Sequence, residues 1–158
     1  MSYTSITTFL HDPVAGQSAL EYAIEAARKW GAHLHVITAG VDLTDPGYYY
    51  AGAQAIAVQQ NLELAQSDGV VVEDMVRARL ANEDIIWDVE SVTLMSGGVE
   101  PFLADYMRYF DLAILPLPYG AAKSTIDVAA FEACLFGADI PVLVVPDGNE
   151  WAIPTSRI

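Results

Sequence analysis

The residues best placed to do chemistry lie in one stretch, Leu115-Pro116-Leu117-Pro118-Tyr119-Gly120-Ala121-Ala122-Lys123-Ser124-Thr125. The apolar run Leu112 to Leu115 reads as a strand feeding this loop, and the loop opens a helix. At such a point α/β proteins bind phosphates and other anions, because the first N–H groups of a helix lack an internal acceptor. Gly120 offers backbone freedom, Lys123 a cation, and Ser124 and Thr125 hydroxyls. The run is not a P-loop: the glycine directly before the lysine is missing, and so is the upstream spacing. Two readings stay open. In one, Ser124 caps the helix and Asp127 supplies an acidic first turn. In the other, Lys123, the hydroxyls and the helix dipole hold an anion.

Other chemically capable residues are more scattered. His11 stands beside Asp12, but neighbours on a strand point to opposite faces, so a direct acid–base pair is not expected. His33 and His35 are two apart on a strand and share a face; a metal-ligating role lacks an evident acidic or Cys partner, so packing or solvent-facing roles are expected. Tyr48, Tyr49 and Tyr50 form an aromatic cluster suited to local packing, an interface or a ligand lid. Asp42, Asp45, Glu83 and Asp84 read as solvated surface charges. Cys134, the single cysteine, sits in an apolar helical run beside Phe131 and Leu135 and reads as buried and structural.

Composition narrows the function classes. The 158 residues fit one domain with a proper core. Seven Lys and Arg against 21 Asp and Glu give a net charge of −14, too few cations to replace the counterions of a nucleic acid and the wrong sign for an anionic membrane surface. One cysteine excludes an internal disulfide and a multi-Cys zinc site. The N-terminus lacks the pattern of a signal peptide, and no apolar run is long enough to span a bilayer. A soluble cytoplasmic protein is the default expectation.

The elements that must position these residues alternate. Ser5 to Leu10 reads as a first strand, followed by turn signals at Asp12-Pro13 and Gly16. Ser18 and Glu21 have the spacing of a capping box, Leu20, Ala23, Ile24 and Ala27 form an apolar helical stripe, and Gly31 suits a left-handed helix end. His33 to Thr38 reads as the second strand and Ala53 to Leu80 as a long helix, with a kink or break expected at Asp68-Gly69. Ile85 to Leu94 alternates like a third strand. Pro101 suits a first helical position before Phe102 to Phe110. Ser124 to Phe136 is the last helix, and Val142 to Val145 the last strand. This alternation implies right-handed crossovers and a parallel sheet. The domain is expected over 1–146, with 147–158 a tail or linker.

The order and the residues resemble the universal stress protein family. Leu20-Glu21-Tyr22-Ala23 and Gly31-Ala32-His33-Leu34-His35-Val36 look like that family's first helix and second strand. Asp111-Leu112-Ala113-Ile114 and Pro141-Val142-Leu143-Val144-Val145 look like its fourth and last strands. The resemblance implies a five-stranded parallel α/β sheet, strand order 3-2-1-4-5, with helices on both faces. It also implies a homodimer, often through the last strand, here Val142 to Val145, or a tandem pair in one polypeptide with Ser156-Arg157-Ile158 opening a second repeat.

Many members of that family bind ATP through Gly-x-x-Gly, nine residues, then Gly-Ser or Gly-Thr. Counting back from Pro141 puts the glycine positions on Leu115, Pro118 and Val128 and the hydroxyl on Ala129, so none matches. Pro118 also removes an N–H donor. The family's strand-one Asp corresponds to Asp12, or to His11 when counted without a gap. The expectation is therefore a non-enzymatic dimeric sensor or interaction module with a degenerate nucleotide site and no cofactor. The alternative is an ATP-binding protein or slow ATPase, taking ATP with Mg²⁺ at a rearranged site of Asp12, Leu115, Gly120, Lys123, Ser124 and Thr125.

Overall fold

The computed structural model describes residues 3–44, 54–120, 123–146 and 148. Its elements alternate as expected: β1 (Ser5–Leu10), α1 (Gln17–Trp30), β2 (His33–Asp42), α2 (Gln54–Leu80), β3 (Trp87–Met95), α3 (Val99–Met107), β4 (Leu112–Pro116), α4 (Thr125–Glu132) and β5 (Val142–Val145). The five strands form one parallel sheet in the order β3-β2-β1-β4-β5. Alternating side chains of the central strands feed two cores. Ile6, Leu10, Leu34 and Val36 pack with α1 and α2; Phe9, Ile37, Ala113 and Leu115 pack with α3 and α4. Coverage on both faces explains why β4 is buried along its whole length. Residues Tyr48 to Tyr50, Asp45, Ala121 and Ala122, and the tail apart from Gly148 lie outside the described residues, as does the second repeat expected at Ser156.

Helix starts differ from the sequence expectations for local reasons. The N-cap of α1 is Gly16, with no side-chain cap. Asp12 has already turned the chain there: its Oδ1 accepts the N–H groups of Val14 (2.8 Å) and Ala15 (2.9 Å). Glu21 is drawn instead to Arg79, both of its oxygens accepting at 2.6 Å. Gly31 closes α1 in the left-handed region, φ 65°, as its position implies. The α3 helix starts at Val99, behind a 3₁₀ turn over Ser96–Gly98, so Pro101 falls third rather than first. It is tolerated because N–H groups of a first turn have no helical acceptor to lose. The last helix stops at Glu132 and continues as a π turn over Ala133–Gly137.

The α2 helix shows no break at Asp68-Gly69. Gly69 serves close packing instead. It faces Gly40 of β2, where an added Cβ would lie 1.7 Å from the Ala65 carbonyl oxygen. A Cβ on Gly69 would approach the Gly40 nitrogen to 2.8 Å. Two missing side chains thus set how near α2 lies to the sheet.

Two acidic groups expected in solvent are engaged. Asp42 is buried and accepts the Thr44 N–H at 2.9 Å. Glu83 pairs with Arg28 and Arg79, whose hydrogen bonds hold its carboxyl below the usual range despite the opposing effect of burial. Asp111 ties the start of β1 to β4: Oδ2 accepts Thr4 Oγ1 (2.7 Å), Thr4 N (2.8 Å) and Ser5 N (2.9 Å), and these bonds lower its pKa. Asp111→Ala should cost about 1–2 kcal/mol by urea denaturation, with Asp111→Asn recovering part of it. No change on Asp111→Ala would show that the contacts are redundant.

Candidate functional site

The strand order reverses between β1 and β4, and the chain leaves these neighbours toward opposite faces of the sheet. At such a switch point the carboxyl ends of the strands leave a crevice for ligands. His11 and Asp12 follow β1, Leu117 to Gly120 follow β4, and Ser124 and Thr125 open α4 at the same end.

Ser124 is the N-cap of α4 within a complete capping box. Its N–H donates to Asp127 Oδ2 at 2.8 Å, its hydroxyl donates to the same oxygen at 3.0 Å, and the Asp127 N–H donates back to Ser124 Oγ at 3.3 Å. The other carboxylate oxygen, Oδ1, meets His11 Nε2 at 3.1 Å. A carboxylate only accepts, so Nε2 carries the proton in this contact. Asp127 is 6% exposed. Burial pushes its carboxyl up, but the bonds from His11 and Ser124 outweigh this and hold it below its ordinary value.

Serine, histidine and aspartate thus meet here, yet they are not wired as a hydrolase triad. A relay takes the hydroxyl proton on one ring nitrogen and holds the carboxylate with the other. Here His11 Nε2 faces both, with Ser124 Oγ at 3.4 Å, and the hydroxyl proton goes to Asp127. The geometry caps a helix and ties it to β1. The contact between residues 11 and 127 was not legible in the sequence; only the Ser124–Asp127 spacing was.

The remaining expected site residues are dispersed. Asp12 is occupied by its own turn. Leu115 is buried inside β4 and offers no approach to a ligand. Gly120 has φ 141°, and its carbonyl accepts the Lys123 N–H at 3.2 Å. Val128 and Ala129 lie inside α4, a turn beyond its cap, so the hydroxyls at the helix start are Ser124 and Thr125. Pro118 stands in the β4 loop and has no N–H to offer.

His33 and His35 do have an acidic partner, Asp88 of the neighbouring strand. His33 Nε2 meets Asp88 Oδ1 at 2.6 Å and His35 Nδ1 pairs with Oδ2. The His35 ring stacks on Tyr106 (5.6 Å) and Phe110 (5.0 Å). The register pairs His35 directly with Asp88, which strand-by-strand reading does not reveal. Among the described residues no group of three or more His, Cys, Asp or Glu converges on a metal position. Burial pushes the Cys134 thiol up to about 12, so it is not a thiolate nucleophile near neutral pH. No helix among the described residues is long and apolar enough to cross a membrane.

A doubly wound parallel sheet in the order β3-β2-β1-β4-β5, with helices on both faces, is an α/β fold whose switch point is a general place for ligands. In particular, it is the fold of the universal stress proteins. The universal stress protein UspA from Lactobacillus plantarum superposes with a TM-score of 0.64 at 20% identity, over 92% of this chain and 99% of that one. A protein from the universal stress protein family from Burkholderia pseudomallei gives 0.56 at 20% identity, over 92% of this chain and 97% of that one. No protein-family model and no curated sequence matches the chain.

Proposed function

We propose that this chain is a universal stress protein family domain acting as a non-enzymatic, dimeric sensor or interaction module, with a nucleotide site closed to phosphates. One observation carries the reading. The Asp127 carboxylate already takes the Ser124 N–H and hydroxyl at the start of α4 and places a buried negative charge there. A phosphate arriving at that helix start meets the repulsion of this charge and finds the Ser124 N–H, the Ser124 hydroxyl and the Asp127 N–H already engaged. Pro118, without an N–H, and the buried Leu115 support the same reading. Calorimetric titration with ATP and Mg²⁺ should give no saturable heat up to millimolar ligand. Saturation at micromolar ligand contradicts the reading.

The alternative is an ATP-binding protein or slow ATPase, and one observation favours it: two hydroxyls, Ser124 and Thr125, do open a helix at the switch point, with Lys123 adjacent. It requires Asp127 to give up its cap. Dimerisation fits the β5 edge, whose residues Val142 to Val144 are only half-buried and whose outer side pairs with no strand among the described residues. Light scattering after size exclusion should give twice the 17.1 kDa chain mass; a monomer at micromolar concentration removes the dimer from the proposal.

A further inference from the structure

The α2 helix is apolar on two faces; from Ala65 onward this chain covers one of them, while Val58 and Leu62 ahead of it on that face remain 48% and 40% exposed. Ala65, Gly69, Val72, Val76 and Leu80 recur at helical spacing and are buried against the sheet. On the opposite side, Ile56, Leu64 and Val71 fall within one outward sector at 100° per residue and are 70%, 62% and 55% exposed. Val70, also exposed, borders that sector. A helix with apolar residues on both sides is ordinarily buried on both. Single exposed apolar residues need no explanation, but three sharing one outward sector of a helix, with Gln60 and Ser67 between them, mark a contact surface of mixed apolar and polar character in this acidic chain.

Charge identifies the kind of partner. From residue 54 to residue 76 the chain carries Glu63, Asp68, Glu73 and Asp74 and no Lys or Arg. Glu63 and Asp74 stand in the same outward sector as the apolar row. A shallow pocket on this side is lined by Gln60, Glu63 and Leu64. It offers an apolar wall and a carboxylate, the combination that receives the stem and head of a Lys or Arg side chain. A second copy of the chain is a poor occupant. Its arginines Arg28, Arg77, Arg79 and Arg108 are already paired with carboxylates, so none of these four is free to meet Glu63 and Asp74.

We infer that the outward face of α2 docks an amphipathic helix of another protein, with an apolar stripe set against Ile56, Leu64 and Val71 and Lys or Arg residues set against Glu63 and Asp74. The inference stands apart from the nucleotide site and from the β5 edge.

The test uses the full chain and two labelled synthetic helices of about 18 residues, long enough to span the row. One has a Leu stripe with Lys flanks, and the other keeps the stripe with Glu flanks. Fluorescence anisotropy should show saturable binding of the Lys peptide, weakening with salt, and none of the Glu peptide. The double variant Leu64→Gln, Val71→Gln leaves the charge unchanged and should weaken binding about tenfold or more. The double variant Glu63→Gln, Asp74→Asn should flatten the salt dependence. Phe136→Gln, at an exposed apolar residue outside α2, should leave binding unchanged. Each of these variants alters exposed positions, and circular dichroism checks that the fold is kept. The inference is overturned if the Lys peptide fails to bind, if the α2 variants bind it as well as the parent does, or if Phe136→Gln weakens it equally. It is also overturned if the Leu64→Gln, Val71→Gln variant instead turns a dimer into a monomer, because the occupant is then a second copy.

Discussion

Gly40→Ala should cost about 4 kcal/mol or more, a large part of the stability of an ordinary domain. The new Cβ would lie 1.7 Å from the Ala65 carbonyl oxygen and 2.6 Å from its carbon. Both obstructing atoms are backbone, so no side chain can rotate away. Relief requires α2 to move off β2, and with it the buried Val72, Val76 and Leu80. For a domain of this size the midpoint of thermal unfolding should fall by roughly 10 °C. Gly97→Ala is the control: nothing lies within 4 Å of its added Cβ, and the change should stay within about 0.5 kcal/mol. Urea denaturation of both variants checks this. A Gly40→Ala protein within about 1 kcal/mol of the parent would mean that α2 does not approach β2 as described.

Asp127→Ala should cost about 2–3 kcal/mol, from the lost cap and from donors left without an acceptor. Three of those donors are the Ser124 N–H, the Ser124 hydroxyl and His11 Nε2. Asp127→Asn keeps the shape and one acceptor oxygen and should cost less. The pH dependence has a definite sign. The folded-state pKa of Asp127 is depressed, so its contribution is complete above the ordinary carboxylate value of about 3.9 and is lost as pH falls through the lower folded value. The parent should therefore lose stability on the acid side more steeply than Asp127→Ala. Asp111 and Glu83 are also depressed and leave part of that slope in the variant. Equal acid limbs in parent and variant would show that the carboxylate is not held by these bonds.

What the sequence made legible was local or periodic. The apolar runs of β1, β4 and β5 appear at the expected places, and so does the strand order that the family resemblance implies. The Ser124–Asp127 spacing announces the capping box that forms. The same spacing at Ser18 and Glu21 fails, because Asp12 turns the backbone first and Arg79, 58 residues away, competes for Glu21. Gly69 misleads for a related reason. A glycine inside a helix reads as weakness, whereas here it makes room for Gly40 on another element. The His11–Asp127 and His35–Asp88 contacts span 116 and 53 residues and exist only once the strands are in register. The acidic partner that His33 and His35 lacked on paper was supplied by that register. Distant pairing also explains Glu83, which looks like a surface charge until α1 and α2 bring two arginines to it.

At the switch point between β1 and β4 the Asp127 carboxylate holds the start of α4, accepting from Ser124 and meeting His11. The most direct test follows the backbone amides of Ser124, Thr125 and Asp127 by nitrogen-15 NMR while ATP with Mg²⁺ is added to millimolar concentration. The expected result is that these three resonances stay in place, with inorganic phosphate as with ATP. Saturable shifts of the three amides at micromolar ATP would contradict a site closed by Asp127 and return the chain to the nucleotide-binding proteins.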